Sequence, residues 1–311
     1  MKKKICILGM GYIGLPTAGI LATKGLSILG VDTNKKVVET INEGKIHITE
    51  PDLDLFIRAA VSSGNLRAAL EPEPSEIFII AVPTPFKENH KPDMTFVESA
   101  TESIVPVLQK GNLVILESTS PPGTCEKIVA PILARSKLDI GKDVFIAHCP
   151  ERVLPGQIMR EVVENDRIIG GINPESTRKA RELYESFTKG QIFETDATTA
   201  EMVKLVENSF RDVNIAFANE LSMICERLSL NVWEVIELAN RHPRVKILRP
   251  GPGVGGHCIA VDPWFIVDAC PEEARLIKTA RLVNDDKPQW VIRRVKDAAE
   301  RFKRPIIALL G

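Results

Sequence analysis

The chain opens on a short apolar run, Lys4 to Gly9 (KICILG), with no helical spacing and no room for a helix before the glycine that ends it. A run of this kind is what a strand buried on both faces looks like. The same texture recurs at Leu26 to Val31, Ile77 to Val82, Leu113 to Glu117, Val144 to His148 and Arg167 to Gly170. Helical stretches lie between these runs: one reaching about Lys24, then Lys35 to Glu43, Asp52 to Ser62 and Thr95 to Gln109. Strand and helix in alternation predict an α/β fold, a doubly wound parallel sheet, over residues 1–197. From Thr198 the pattern changes to a long helix reaching about Leu228. Its predicted core stripe is Met202, Leu205, Val206, Phe210, Val213, Phe217, Leu221 and Ile224. A shorter helix fits Val232 to Ala239 and a second long one Glu272 to about Arg301, so residues 198–303 read as an all-helical central domain. The last residues, 304–311, read as the first strand of a further, truncated domain.

The first apolar run passes directly into Gly9-Met10-Gly11-Tyr12-Ile13-Gly14, and the second closes on Asp32. Alone, Gly-x-Gly-x-x-Gly has many chance matches. Strand, glycine turn, helix, strand and acidic residue in that order specify a Rossmann-like dinucleotide site. The first glycine permits the turn, the second lets a pyrophosphate reach backbone N–H groups at a helix N-terminus, and the third lets helix and strand pack. Asp32 would accept hydrogen bonds from ribose hydroxyls and repel a 2′-phosphate, which favours NAD over NADP; its bland alternative is a turn residue closing a strand. Ligands of such sheets bind beyond the carboxyl ends of the strands. There the chain places Pro83-Thr84-Pro85, Ser118-Thr119 and Cys149-Pro150-Glu151-Arg152, with proline turn chemistry as the competing explanation. Residues 86–92 (FKENHKP) read as a solvated loop carrying an exposed His90.

In the second half, Pro250 to Pro263 (PGPGVGGHCIAVDP) stands out. It puts Cys258 at the end of a glycine-rich run, with Asp262 one helical turn later. A thiolate is a strong nucleophile, and side-chain-free approaches let another backbone or a flat ligand come close. The bland reading is a small apolar residue closing a tight loop. Upstream, Lys204, Asn208 and Arg211 share one helix face, either as a solvated face or as a ligand-facing stripe. A basic loop, Asn240 to Arg249, leads into the cysteine segment.

Composition narrows the class. With 311 residues and a formal net charge of −1, the chain has material for about two domains and no basic block beyond Lys2, Lys3 and Lys4, so nucleic acid and membrane surfaces are not expected partners. No apolar run approaches the roughly 18 residues of a membrane span. Six scattered cysteines without a Cys-x-x-Cys pair argue against a disulfide framework or a metal site, and for a reducing, cytoplasmic setting.

The stretches VPTPFKENHKPDMTFVESA, ILESTSPPGT, CPERVLPG, AEMVKLVENSFRDVNIAFANELS and NRHPRVKILRPGPGVGGHCIAVDPWF together make the chain resemble the UDP-glucose/GDP-mannose dehydrogenase family over essentially its whole length. The resemblance implies NAD-dependent oxidation of a sugar-nucleotide alcohol, a UDP-sugar here, to a carboxylate through a Cys258 thiohemiacetal and thioester. It also implies a homodimer formed through the central helical domain, and a C-terminal domain of which only the first strand would be present. By resemblance, Lys204 is the acid/base and, with Asn208, stabilises the oxyanion. Asp262 orients Lys204 and a water, Glu151 assists thioester hydrolysis, and Thr119 holds a water or the nicotinamide side. Tyr12, Ile13, Asp32, Thr84 and Thr119 would contact NAD. Arg152, Val153, Asn208 and Arg211 would contact the sugar, while His242, Arg244, Arg249 and Gly255 would contact sugar or diphosphate, His242 and Arg244 across the dimer. His257 adjoins Cys258, but adjacent side chains diverge, which disfavours a Cys-His dyad. By resemblance the sugar is N-acetylmannosamine, and the nearest alternative is a sister enzyme that oxidises UDP-N-acetylglucosamine, which differs at one stereocentre. Single-hydride hydroxyacid dehydrogenases share the lysine–asparagine pair without needing a cysteine, and an NAD-binding, dimerising module without turnover is a further alternative.

Overall fold

A computed structural model describes residues 3–256 and 258–309. Among them eight strands form one sheet: β1 (Lys4–Leu8), β2 (Ser27–Val31), β3 (Leu66–Ala69), β4 (Ile77–Ile80), β5 (Leu113–Leu116), β6 (Phe145–His148), β7 (Arg167–Gly171) and β8 (Ile192–Asp196). Their spatial order is β3-β2-β1-β4-β5-β6-β7-β8, so the winding reverses between β1 and β4. That switch point is where a doubly wound sheet opens a crevice. The helices of this part are α1 (Gly14–Thr23), α2 (Lys35–Asn42), α3 (Leu53–Ser62), α4 (Thr95–Ile104), α5 (Ala130–Leu133), α6 (Ile158–Glu164) and α7 (Pro174–Tyr184). Strand side chains alternate between two apolar layers: Ile5 and Ile7 pack with Leu15, Leu21 and Ile57, while Cys6 and Leu8 pack with Val97, Val114 and Leu133. The uninterrupted apolar runs follow from this burial on both faces.

The sheet departs from the expected all-parallel form at one pair. β6 and β7 run antiparallel, with Ala147 opposite Gly171 and His148 opposite Gly170. Only the short α6 separates them, and an antiparallel return needs no full crossover. Two further strands, β3 and β8, and the helices α5, α6 and α7 carried too little apolar periodicity to be read from sequence. The predicted helix from Thr95 stops at Ile104 and gives way to a 3₁₀ turn at Val105–Val107, which contains Pro106.

The chain divides into two compact units, Met1–Lys204 and Leu205–Gly311, with the division inside α8 (Ala197–Arg227). The second unit adds α9 (Val232–Ala239), α10 (Asp262–Ala269) and α11 (Arg275–Ala299). Residues 305–309 are not paired as a strand, and Ile306 and Leu309 are almost fully exposed. A strand needs a ladder partner to satisfy its N–H and C=O groups, and none is at hand among the described residues.

The expected core stripe of α8 is largely wrong. Leu205 is buried, but Val206, Phe210, Phe217 and Ile224 are exposed, Phe210 to 69%, and Met202, Val213 and Leu221 are only half-buried. The inward face holds Asn208, Ser209, Asp212, Ala216 and Asn219 instead. It is buried because α11 presents complementary polar groups, Arg281, Asn284 and Lys287, which are themselves buried.

A second buried polar cluster lies at the carboxyl end of β5. Tyr184 donates to Glu117 Oε1 at 2.6 Å, and the Arg167 guanidinium donates to Glu151 Oε2 at 3.0 Å and lies over the Tyr184 ring. Burial, and then the Glu151 charge, push the Glu117 carboxyl up to about 7 despite Arg167. Glu117 therefore keeps a proton on folding that the unfolded chain has lost, and its stabilising effect, complete below about pH 4.5, is lost as pH rises through 7. Glu117→Gln keeps an oxygen for Tyr184 but does not titrate. Chemical unfolding of both proteins should show the variant gaining about 2–3 kcal/mol on wild type between pH 4.5 and 8. A pH-independent difference would mean that Glu117 does not titrate in that window.

Candidate active site

The glycine turn at the end of β1 is built as its spacing implies. Gly9 has φ +91°, and a Cβ there would lie 2.5 Å from the Ala81 carbonyl oxygen. A Cβ on Gly14 would sit 1.9 Å from the Gly9 carbonyl oxygen, whereas a Cβ on Gly11 would meet nothing within 4 Å. The first and third glycines are thus required by the protein's own packing, and the second faces open space. The N-terminus of α1 has no side-chain cap and no acidic residue in its first turn. The positive end of its dipole is left for an anion. Asp32 lies beside this turn: Oδ2 accepts from Met10 N at 3.1 Å and Oδ1 from Asn34 N at 2.9 Å. The turn reading of Asp32 therefore holds, and its carboxylate is held at the lip of the glycine loop, where a ribose would lie. An NAD pyrophosphate on α1 and a ribose at Asp32 fit these residues. Tyr12 is exposed, and Ile13, Thr84 and Thr119 are half-buried at strand and helix ends.

Glu151 and Arg152 follow β6. Glu151 is buried against Arg167, and its Oε1 accepts from Arg152 N at 2.8 Å, while Arg152 and Val153 are half-buried. Sequence reasoning missed Glu117, Arg167 and Tyr184 around it. The available signal was an acid ending an apolar strand. Cys125, His148 and Glu201 form another buried group, their ligand-type atoms within 4.8 Å of one another. Both Glu201 oxygens already accept backbone N–H groups, from Gly123 and from Cys125, so this carboxylate is the cap of that turn.

In the second unit, Cys258 is exposed and forms no disulfide. Its carbonyl accepts from Val261 N at 3.1 Å and Asp262 N at 2.9 Å, which makes Cys258 the entry to α10. Of the loop glycines, Gly253 is required by the Pro288 ring, 2.9 Å from its would-be Cβ, while Gly255 and Gly256 face open space and Gly256 has φ +83°. Asn208 Nδ2 donates to Asp262 Oδ2 at 2.5 Å, both side chains being buried. Lys204, one turn before Asn208 on α8, is half-buried, and Arg211, near the same face of the helix, is exposed. His242, Arg244 and Arg249 are exposed on the segment leading to the cysteine loop. His257 lies outside the described residues.

The NAD binding domain of the UDP-glucose/GDP-mannose dehydrogenase family matches residues 3–188, and the central domain of the same family matches residues 198–286. The chain belongs to the UDP-glucose/GDP-mannose dehydrogenase family. It is an oxidoreductase whose cofactor is NAD. Among curated relatives, the NDP-N-acetyl-D-galactosaminuronic acid dehydrogenase of Ralstonia nicotianae is 60% identical over 99% of this chain and 75% of its own length. The UDP-N-acetyl-D-mannosamine dehydrogenase of Escherichia coli is also 60% identical, over 94% of this chain and 72% of its own. Among solved structures, the UDP-D-ManNAc dehydrogenase of Pyrococcus horikoshii superposes with a TM-score of 0.91 at 45% identity, over 96% of this chain and 72% of that one. Among the described residues no helix is long and apolar enough to cross a membrane.

The glycines divide into two tests. Gly14→Ala forces a carbon into the Gly9 carbonyl and should destabilise the fold by several kcal/mol. Gly11→Ala has room in the protein itself, so its melting temperature should stay near wild type while NAD affinity falls tenfold or more in a fluorescence titration. Unchanged NAD affinity in folded Gly11→Ala would remove this turn from the cofactor site.

Proposed function

We propose that this chain oxidises the primary alcohol of UDP-N-acetyl-D-mannosamine to the carboxylate in two NAD-dependent steps, with Cys258 as the covalent nucleophile. The observation that carries this is the exposed Cys258 thiol at the entry of α10, beside the buried Asn208–Asp262 pair, in a chain 60% identical to a relative named for that substrate. NAD, when bound, supplies the hydride acceptor for both oxidations. Lys204 takes the hydroxyl proton as the alcohol becomes an aldehyde. The Cys258 sulfur then bonds to the carbonyl carbon, and the carbonyl electron pair moves to oxygen, where Lys204 and the Asn208 amide stabilise the charge. Loss of a second hydride from that carbon leaves a thioester. Water adds to the acyl carbon with Glu151 taking a proton, the C–S bond breaks, and the thiolate returns. Asp262 holds Asn208 through its 2.5 Å hydrogen bond, and Arg167 holds Glu151. Thr119 serves the water or nicotinamide side. Arg152, Val153 and Arg211 serve the sugar, with His242, Arg244, Arg249 and Gly255 serving the sugar and diphosphate; an arginine fork suits a diphosphate because it engages two oxygens at once.

A second substrate has a specific observation behind it. The galactosaminuronic acid dehydrogenase relative matches this chain at the same identity and over more of its length. Both substrates share the chemistry above and differ in sugar stereochemistry.

The exposed apolar stripe of α8, Val206, Phe210, Phe217 and Ile224, supports a homodimer through the central domain, residues 198–303. Phe217→Arg should then convert a dimer to a monomer in light scattering, and a wild-type monomer would defeat this reading.

The stoichiometry is tested on the chain extended to the length of its relatives. Two NADH per UDP-N-acetylmannosamine consumed are expected, and one NADH would exclude the double oxidation. Turnover with only the galactosamine nucleotide would move the substrate to the second reading. Cys258→Ser should lower turnover by a factor of at least about 10³, and full activity in that variant would exclude the thioester route.

A further inference from the structure

Three positions on the inward face of α8 are tied to the cysteine loop. Asn219 Oδ1 accepts from Gly251 N at 2.9 Å, at the start of the loop. Asp212 Oδ1 accepts from Arg281 Nη1 at 2.5 Å, and the same Nη1 donates to the carbonyl of Ile259, the residue after Cys258, at 3.3 Å. Asn208 holds Asp262. At 100° per residue, 208, 212 and 219 fall within about 40° of one another, so one helix face addresses both ends of the loop. Asn284 closes the system by donating to Asp212 and accepting from Asn219 Nδ2 at 2.9 Å. Arg281, Asp212, Asn219 and Asn284 are each at most 1% exposed, whereas Gly255 and Gly256 in the middle of the loop are exposed.

We propose that Asn219 and Arg281 are positioning residues that clamp the two ends of the Cys258 loop onto α8, fixing the thiol beside Asn208 of that helix. The proposal rests on the reading of Cys258 as nucleophile. Each acts through backbone groups of the loop, Asn219 on Gly251 and Arg281 on Ile259. A glycine-rich segment has more backbone freedom to lose than any other, and a misplacement of about 1 Å at a reacting atom can cost around a hundredfold in rate. Anchoring the ends while leaving Gly255 and Gly256 unclamped sets the sulfur and still leaves space for a ligand.

Two measurements test the clamp. In the wild-type protein, hydrogen exchange should protect the amides of Gly251, Val261 and Asp262 and leave those of Gly255 and Gly256 fast. Uniformly fast exchange across the loop would overturn the proposal without any variant. Asn219→Ala removes the acceptor for Gly251, and Arg281→Lys keeps a charge for Asp212 but cannot reach Ile259 as well. Each should lower kcat tenfold or more with KM for NAD unchanged, and alter the rate at which iodoacetamide labels Cys258. Ser222→Ala, which removes the 2.6 Å bond from Lys287 and the 2.7 Å bond to the Asn219 carbonyl but leaves the Asn219 side chain its bond to Gly251, should lower the melting temperature but leave kcat and labelling at wild-type values. Folded Asn219→Ala and Arg281→Lys with wild-type kcat and labelling would overturn the clamp. Full activity in Cys258→Ser would instead overturn the nucleophile reading beneath it, so the two failures are distinguishable.

Discussion

The second unit depends on the ion pair between Asp212 and Arg281, both at most 1% exposed. Breaking a buried pair by removing one partner costs about 3–5 kcal/mol, because the remaining charge has no water to turn to. Burial, with a smaller contribution from the Asp285 charge, pushes the Asp212 carboxyl up, and Arg281 acts against that shift. The pair therefore constrains everything it touches: it needs α8 and α11 side by side, and its second hydrogen bond, to Ile259, needs the cysteine loop in place. Lys287 extends the same logic. Burial lowers its ammonium, and it donates to Ser222 while lying over the Trp290 ring at 3.9 Å. Polar satisfaction holds the helices of this unit in register, as an apolar seam does elsewhere.

That inversion is why the sequence misled for α8. Apolar residues at helical spacing do mark one face, but the pattern does not say what covers it. Phe210 and Phe217 lie on an uncovered face, and the helix turns Asn208, Asp212 and Asn219 inward, where α11 supplies their partners. From sequence, a polar face with partners of its own looks like a solvated one. The matching half of the signal lies far along the chain, in Arg281, Asn284 and Lys287, and no local periodicity joins the two.

The sheet unit was far more legible. An uninterrupted apolar run has one good explanation in a chain of alternating elements, and β1, β2, β4, β5, β6 and β7 fall within a residue or two of the runs that predicted them. The glycine turn was legible because its constraints are steric and local: the clash of a Cβ at Gly9 or Gly14 follows from the turn itself. What escaped was set by long-range pairing. The antiparallel β6–β7 step, the short β3 and the Glu117–Tyr184–Arg167–Glu151 cluster join residues that nothing local connects. Glu151 was found as a strand-end acid, but its buried partner Arg167 reads in sequence only as the start of the next strand.

The loop glycines show how one residue type can serve opposed ends. Gly253 lacks a side chain because Pro288 of α11 occupies the place a Cβ would take, so it is a packing contact that fastens the loop. Gly255 and Gly256 lack side chains where none of the described residues would meet a Cβ within 4 Å, and Gly256 adopts a φ that other residues rarely do. From sequence all of them seemed to clear one approach. The structure separates them into a glycine that holds the loop down and two that keep its crown bare, with Cys258 at the boundary where the chain enters α10. A nucleophile placed there is fixed by its neighbours rather than by its own side chain, so its position can be set by groups as distant in sequence as Asn219 and Arg281.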